Sequence, residues 1–153
     1  MGHRINFCNA VTILTALCSI VAIILYNVIE VAPGIYLTDI QAGKDIQSTT
    51  IVTLVFSILL IINDAMMRKY FPGYLVVSSV GICFSIAILI SSALGLSRLE
   101  EIDNHTVEYN ATQVGAMKAM GYLSGAMGIV TSLFCGFHHI HRLAVTLKLV
   151  PKK

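Results

Sequence analysis

The chain has 153 residues, of which 56% are apolar and 12% charged, with a formal net charge of +2 and a mean hydropathy of +0.82. Soluble domains carry roughly 25% charged residues, so this composition excludes an ordinary water-soluble fold: there are too few ionisable side chains to cover the surface of a 16.6 kDa globule. Lipid is the expected surrounding, and no nucleic-acid partner is expected.

The uncharged runs 5–29, 46–63, 70–97 and 119–141 measure 25, 18, 28 and 23 residues. A hydrocarbon core of about 30 Å needs about 20 such residues per helical crossing. The sequence therefore predicts an all-α, integral membrane four-helix bundle, one domain over 1–153, with spans at about 6–29, 46–66, 73–97 and 117–139. A β-barrel is excluded, because these runs lack the alternation of short barrel strands.

Span 1 follows Arg4 and is longer than the h-region of a signal peptide, so it is expected to remain as a helix. Cys8 lies near its start and is a candidate for S-palmitoylation. The first outer loop, about 31–45, holds Pro33-Gly34 and a polar stretch ending in Lys44-Asp45. Span 2 ends at Asp64, four residues before Arg68, a spacing that suits an i,i+4 ion pair at the interface. Arg68 to Gly73 then reads as basic anchors, an aromatic pair and a Pro-Gly turn joining spans 2 and 3 as a hairpin.

Span 3 carries Gly81 and Ser85 four apart, with Ala87, Ser91 and Gly95 as a second row of small residues. The second outer loop, about 98–116, contains two glycosylation sequons, at Asn104 and Asn110. Span 4 holds the clearest pattern: Gly121, Gly125, Gly128, Ser132 and Gly136 fall on one helical stripe. Small residues let a neighbouring backbone approach closely. The stripe serves packing against span 3 or 1 of the same chain, or association with another copy or another multi-span protein. The remaining residues, about 140–153, form a basic tail that alternates Leu143, Val145, Leu147 and Leu149 with polar or small residues and can lie on the membrane surface.

Four spans put both termini on one side. That side holds Arg4, Arg68, Lys69, Arg142, Lys148, Lys152 and Lys153, seven of the ten basic residues, so the positive-inside rule assigns the termini to the cytoplasm. The sequons then fall outside, as expected for a glycoprotein of a eukaryotic cell-surface or secretory membrane.

Candidates for chemistry are sparse. Ionisable groups inside a membrane mark transport paths, and none is expected here beyond Asp64 at a helix end. His138, His139 and His141 suggest a metal site with Cys135, but no acidic residue is close in sequence, so neither metal nor cofactor is expected and the cluster reads as interfacial. Cys8, Cys18, Cys83 and Cys135 all lie in or at the ends of spans and read as small packing residues, with no Cys-x-x-Cys pair and no disulfide in the outer loops.

Termini on the inside, a tight inner turn and modest outer loops resemble the MARVEL-type tetraspan proteins and the membrane-spanning four-domain family. The resemblance implies a non-enzymatic role in membrane apposition, trafficking, junctions or receptor and channel accessory work, and it transfers no functional residue. The reading that follows is a tetraspan protein acting by lateral helix association, as a homo-oligomer or with other multi-span membrane proteins. A small transporter or channel subunit is the alternative, and a lipid-acting membrane enzyme the second.

Overall fold

The computed structural model describes residues 2–65, 74–102 and 111–148. Four long helices dominate: α1 (Gly2–Val28), α2 (Gln41–Ala65), α3 (Tyr74–Ile102) and α4 (Ala111–Thr146). Each contains a stretch long and apolar enough to cross a membrane, at Cys8–Val28, Gln41–Ala65, Leu75–Glu100 and Gly115–Thr146. Helices are the form such runs must take in hydrocarbon, where every backbone N–H and C=O needs a partner within the segment. All four expected spans overlap a helix. The helices also run past the spans, because interfacial charges do not interrupt helical hydrogen bonding. The 36 residues of α4 extend about 54 Å at 1.5 Å per residue.

The tail is the clearest departure. Residues 140–146, expected as a separate surface segment, continue α4 as far as Thr146. The apparent alternation of Leu143 and Val145 is overridden by the helix before it, and Arg142, Leu143, Ala144 and Val145 are all half-buried. The helix ends with Lys148 in the left-handed region, φ 60°, its N–H donating to the carbonyl of Val145 at 3.0 Å.

Each helix packs mainly on its two neighbours in the ring α1, α2, α3, α4. Between α1 and α2 the first outer loop forms a small antiparallel hairpin, β1 (Glu30–Ala32) and β2 (Ile35–Tyr36). It turns at Pro33-Gly34, where Gly34 takes φ 77°, the sign a type II turn requires after proline. A single 3-10 turn, Leu37–Asp39, follows. It drives the fully buried Leu37 into a cluster with Tyr26, Ile29, Ile46, Leu99 and Met117, closing the loop end of the bundle. Gly43 is required here, because a Cβ at that position would collide with the Leu37 carbonyl.

The middle of the bundle inverts the pattern of a soluble protein. Ile13, Leu14, Leu17, Ile24, Ile90 and Phe134 point outward, while Thr12, Thr15, Ser19, Thr53, Ser57, Ser91, Ser124 and Thr131 are buried between helices. Hydrocarbon outside makes apolar burial worthless as a driving force, so close packing and hydroxyl hydrogen bonds hold the helices together.

Candidate functional site on the bundle axis

Hydroxyls build the interior seam. Thr12 donates to the Cys8 carbonyl at 2.7 Å and Ser57 to the Thr53 carbonyl at 2.7 Å, the bonding within one helix that mid-span Ser and Thr ordinarily make. Others cross between helices: Thr15 meets Thr131 at 2.7 Å, Ser19 meets Ser124 at 3.0 Å, and Thr53 meets Ser91 at 2.7 Å. The void among Thr49, Ser92, Gly95 and Ser124 has a volume of about 10 Å³, room for about one water at most.

The small residues of α4 are engaged within the chain. A Cβ on Gly125 would lie 2.6 Å from the Leu96 side chain, one on Gly128 would collide with the Ser92 hydroxyl, and one on Gly136 would lie 3.5 Å from the Ser85 Cβ. Gly121 faces Leu99 and the Tyr26 hydroxyl. Ser132 is buried with its hydroxyl turned back to the Ile129 carbonyl at 2.7 Å, and Ser85 donates to the Gly81 carbonyl at 2.8 Å. Of the two uses expected for this stripe, the structure has packing on α3. At its Ser132–Gly136 end the face borders an apolar groove of about 140 Å³ shared with Ser85, Ile86 and Leu89 of α3. The second row of α3 faces α2, with Gly95 against Thr49.

The end of the bundle that carries both termini holds the polar cluster. Asp64 of α2 and His139 of α4 meet across the diagonal of the ring, with Oδ1 and Nε2 3.1 Å apart and side-chain exposures of 4% and 0%. Gly81 of α3 makes room for the imidazole: a Cβ there would lie 2.6 Å from two ring atoms. Asn63, beside Asp64, donates to the Val77 carbonyl at 3.0 Å and ties α2 to α3 at this level. Nδ1 of His139 has no hydrogen-bond partner, and the ring of His138 stands edge-on to it with centroids 5.6 Å apart.

Against this pair lies a disulfide, Cys8 of α1 to Cys135 of α4, 127 residues apart in sequence with Cα atoms 5.7 Å apart. The Cys8 Sγ is 3.9 Å from Asp64 Oδ2. Cys135 Sγ is 3.6 Å from the Thr12 hydroxyl and 3.7 Å from the Cys8 carbonyl.

Three expectations are corrected here. Asp64, at the end of α2, is buried against His139 rather than left to a local pair alone, and Arg68 lies outside the described residues. His139, expected with its neighbours on the surface at the interface, is instead buried inside the bundle beside Asp64. Cys8 is no acylation site in this state, because it is 6% exposed and its sulfur is bonded to Cys135. Of the histidine cluster, His138 is half-buried and His141 exposed, so the three do not act together. Among the described residues no group of three or more His, Cys, Asp or Glu side chains is placed to hold a metal ion. Asn104 and Asn110 lie outside the described residues.

His139 could have been found from the sequence. It stands three residues after Gly136 and continues the stripe 121, 125, 128, 132, 136, so the face that packs inside must carry it inside as well. In comparisons with protein-family models, with curated proteins and with solved structures, nothing matches this chain.

Proposed function

We propose that this chain is a non-enzymatic tetraspan protein that organises membrane complexes through its lipid-facing surface, in the cell-surface or a vesicle membrane of a eukaryotic cell. The observation that carries this reading is the closed interior. Among the described residues, hydroxyls, glycines and the Leu37 plug occupy the space between the helices and leave a void of about 10 Å³ beside Thr49 and Ser124, whereas larger recesses, of about 140 and 370 Å³, are open apolar grooves that α3 forms with α4 and with α2. α3 covers much of the α4 glycine stripe, and the Ser132–Gly136 end of the stripe borders the groove of about 140 Å³, which remains available to a partner. The proposed orientation has both termini cytoplasmic and Asn104 outside, supported by the distribution of basic residues. Affinity capture of the tagged protein in mild detergent should recover a reproducible set of multi-span proteins; capture of none, with the bundle intact, contradicts the reading. A glycosidase-sensitive mobility shift that disappears on Asn104→Gln tests the orientation, and no shift in either protein contradicts it.

A second reading, a proton-coupled transporter or channel subunit, is favoured by one observation: a buried Asp64–His139 pair on the axis, the kind of group that marks ion pathways in membranes. Flux into proteoliposomes driven by a pH gradient and lost on Asp64→Asn would establish it, and flux unchanged by that substitution would dismiss it.

A further inference from the structure

We propose that Cys8 and Cys135, with Asp64 and His139 beside them, form a thiol–disulfide exchange site whose reaction partner is a small soluble thiol of the glutathione class. This rests on the orientation proposed above for one step only, the choice of compartment. Disulfides are ordinarily kept on the oxidising side of a membrane, and those facing the cytoplasm are mostly transient and catalytic or redox-sensing. With both termini cytoplasmic, this bond lies at the reducing face. Cys8 lies in the second turn of α1 and Asp64 in the last turn of α2, which puts the bond toward the end of the bundle where α1 begins and α2 ends.

The surroundings suit both redox states. In the disulfide the sulfurs carry no protons. After reduction each thiol finds an acceptor already in place: Asp64 Oδ2 for Cys8, at 3.9 Å, and the Cys8 carbonyl for Cys135, at 3.7 Å. Reduction of a buried disulfide passes through a thiolate, which is costly in apolar surroundings, so a proton source must stand next to the leaving sulfur. Among the described residues, the titratable groups beside the bond are Asp64 from α2 and His139 from α4; α3 contributes Gly81 at that level.

The chemistry balances with two equivalents of thiol. A small thiolate attacks the Cys8 sulfur, the more exposed of the two, the bond to Cys135 breaks, and its electron pair leaves on Cys135, 3.6 Å from the Thr12 hydroxyl, which takes up the proton released by the attacking thiol. A second thiolate attacks the small-molecule sulfur of the mixed disulfide, releasing the oxidised small disulfide. The electron pair left on Cys8 is protonated in turn from the Asp64–His139 pair beside it. The two protons equal those lost by the two thiols, one replenishing the Asp64–His139 pair, so the protein gains two S–H groups and the small molecule is oxidised. The change frees α1 from α4 at one end while hydroxyl contacts such as Thr15 to Thr131 persist.

The test uses the full chain in detergent with Cys18→Ser and Cys83→Ser, so that only this pair is read. The protein is equilibrated in reduced and oxidised glutathione at a series of ratios, quenched with acid, and its thiols are counted by alkylation and mass spectrometry. The expected result is a reversible transition between disulfide and dithiol in the folded protein. Asp64→Asn should slow the exchange at least tenfold while Asp45→Asn leaves it unchanged, and His139→Gln should alter its pH profile. A bond that opens only after denaturation overturns the proposal without reference to any variant, as does a rate unaffected by both Asp64→Asn and His139→Gln in protein whose helicity is retained. Sealed vesicles separate the two readings. Exchange from the tail side supports both, whereas exchange from the opposite side alone overturns the orientation and supports the exchange site.

Discussion

Replacing His139 by leucine keeps the side-chain volume roughly constant and removes the ionisable side chain 3.1 Å from Asp64 on the bundle axis. Both side chains are almost fully buried, so the single variant leaves a carboxyl without a counterpart in a low-dielectric interior. Breaking a buried pair from one side costs about 3 to 5 kcal/mol, and the lower figure is a change of about 100-fold in the folding equilibrium. Asp64→Leu should cost a similar amount. Removing both partners substitutes well-packed apolar groups for the pair and should recover most of the loss, because an intact buried pair is itself close to neutral relative to an apolar replacement. Unfolding of the four proteins by sodium dodecyl sulfate titration in mixed micelles, followed by circular dichroism, gives the cycle directly. A coupling energy of about 2 kcal/mol or more is expected. Additive single effects would refute the placement of Asp64 against His139.

The α4 glycines should respond in a graded way. Gly125→Ala and Gly128→Ala push a Cβ into the Leu96 and Ser92 side chains and should destabilise by about 1 to 3 kcal/mol. Gly136→Ala meets Ser85 at ordinary contact distance and should be tolerated. Gly115→Ala, with nothing within 4 Å, should stabilise by up to about 1 kcal/mol from helix propensity alone. The same detergent titration reads all four. Thr15→Val removes one hydroxyl of the α1–α4 seam and should cost about 0.6 kcal/mol, the mean for an interhelical hydrogen bond in a membrane bundle. Leu37→Ala empties the fully buried plug at the loop end and should cost about 2 to 5 kcal/mol, with faster amide exchange at the loop end of α2 as the accompanying sign.

Four helices and their approximate limits are legible in the spacing of charges, because the length of a lipid crossing is set by the bilayer and charged groups are costly inside it. The role of the glycine stripe was legible as close packing, but its partner was not: Gly128 against Ser92 is a pairing between helices, and spacing within one helix does not contain it. The polar cluster was hidden for two reasons. Cys8 and Cys135 are 127 residues apart and meet only because α1 and α4 are neighbours in the ring. Asp64 has an obvious local partner in Arg68, and local pairing conceals the long-range contact with His139. The continuation of α4 into the tail was not legible because its aliphatic residues alternate with polar or small ones instead of following the helical period, whereas an established helix continues until something stops it.

The packing of the α4 small-residue face on α3 of the same chain is tested most directly by cross-linking. With the four native cysteines replaced by serine, Ser85→Cys combined with Gly136→Cys places two Cβ atoms 3.5 Å apart, at the short end of the disulfide range. Mild oxidation in native membranes should then yield a monomer containing one internal bond, identified by its linked peptides. Dimers joined through these two positions, with no internal bond in the monomer, would contradict it.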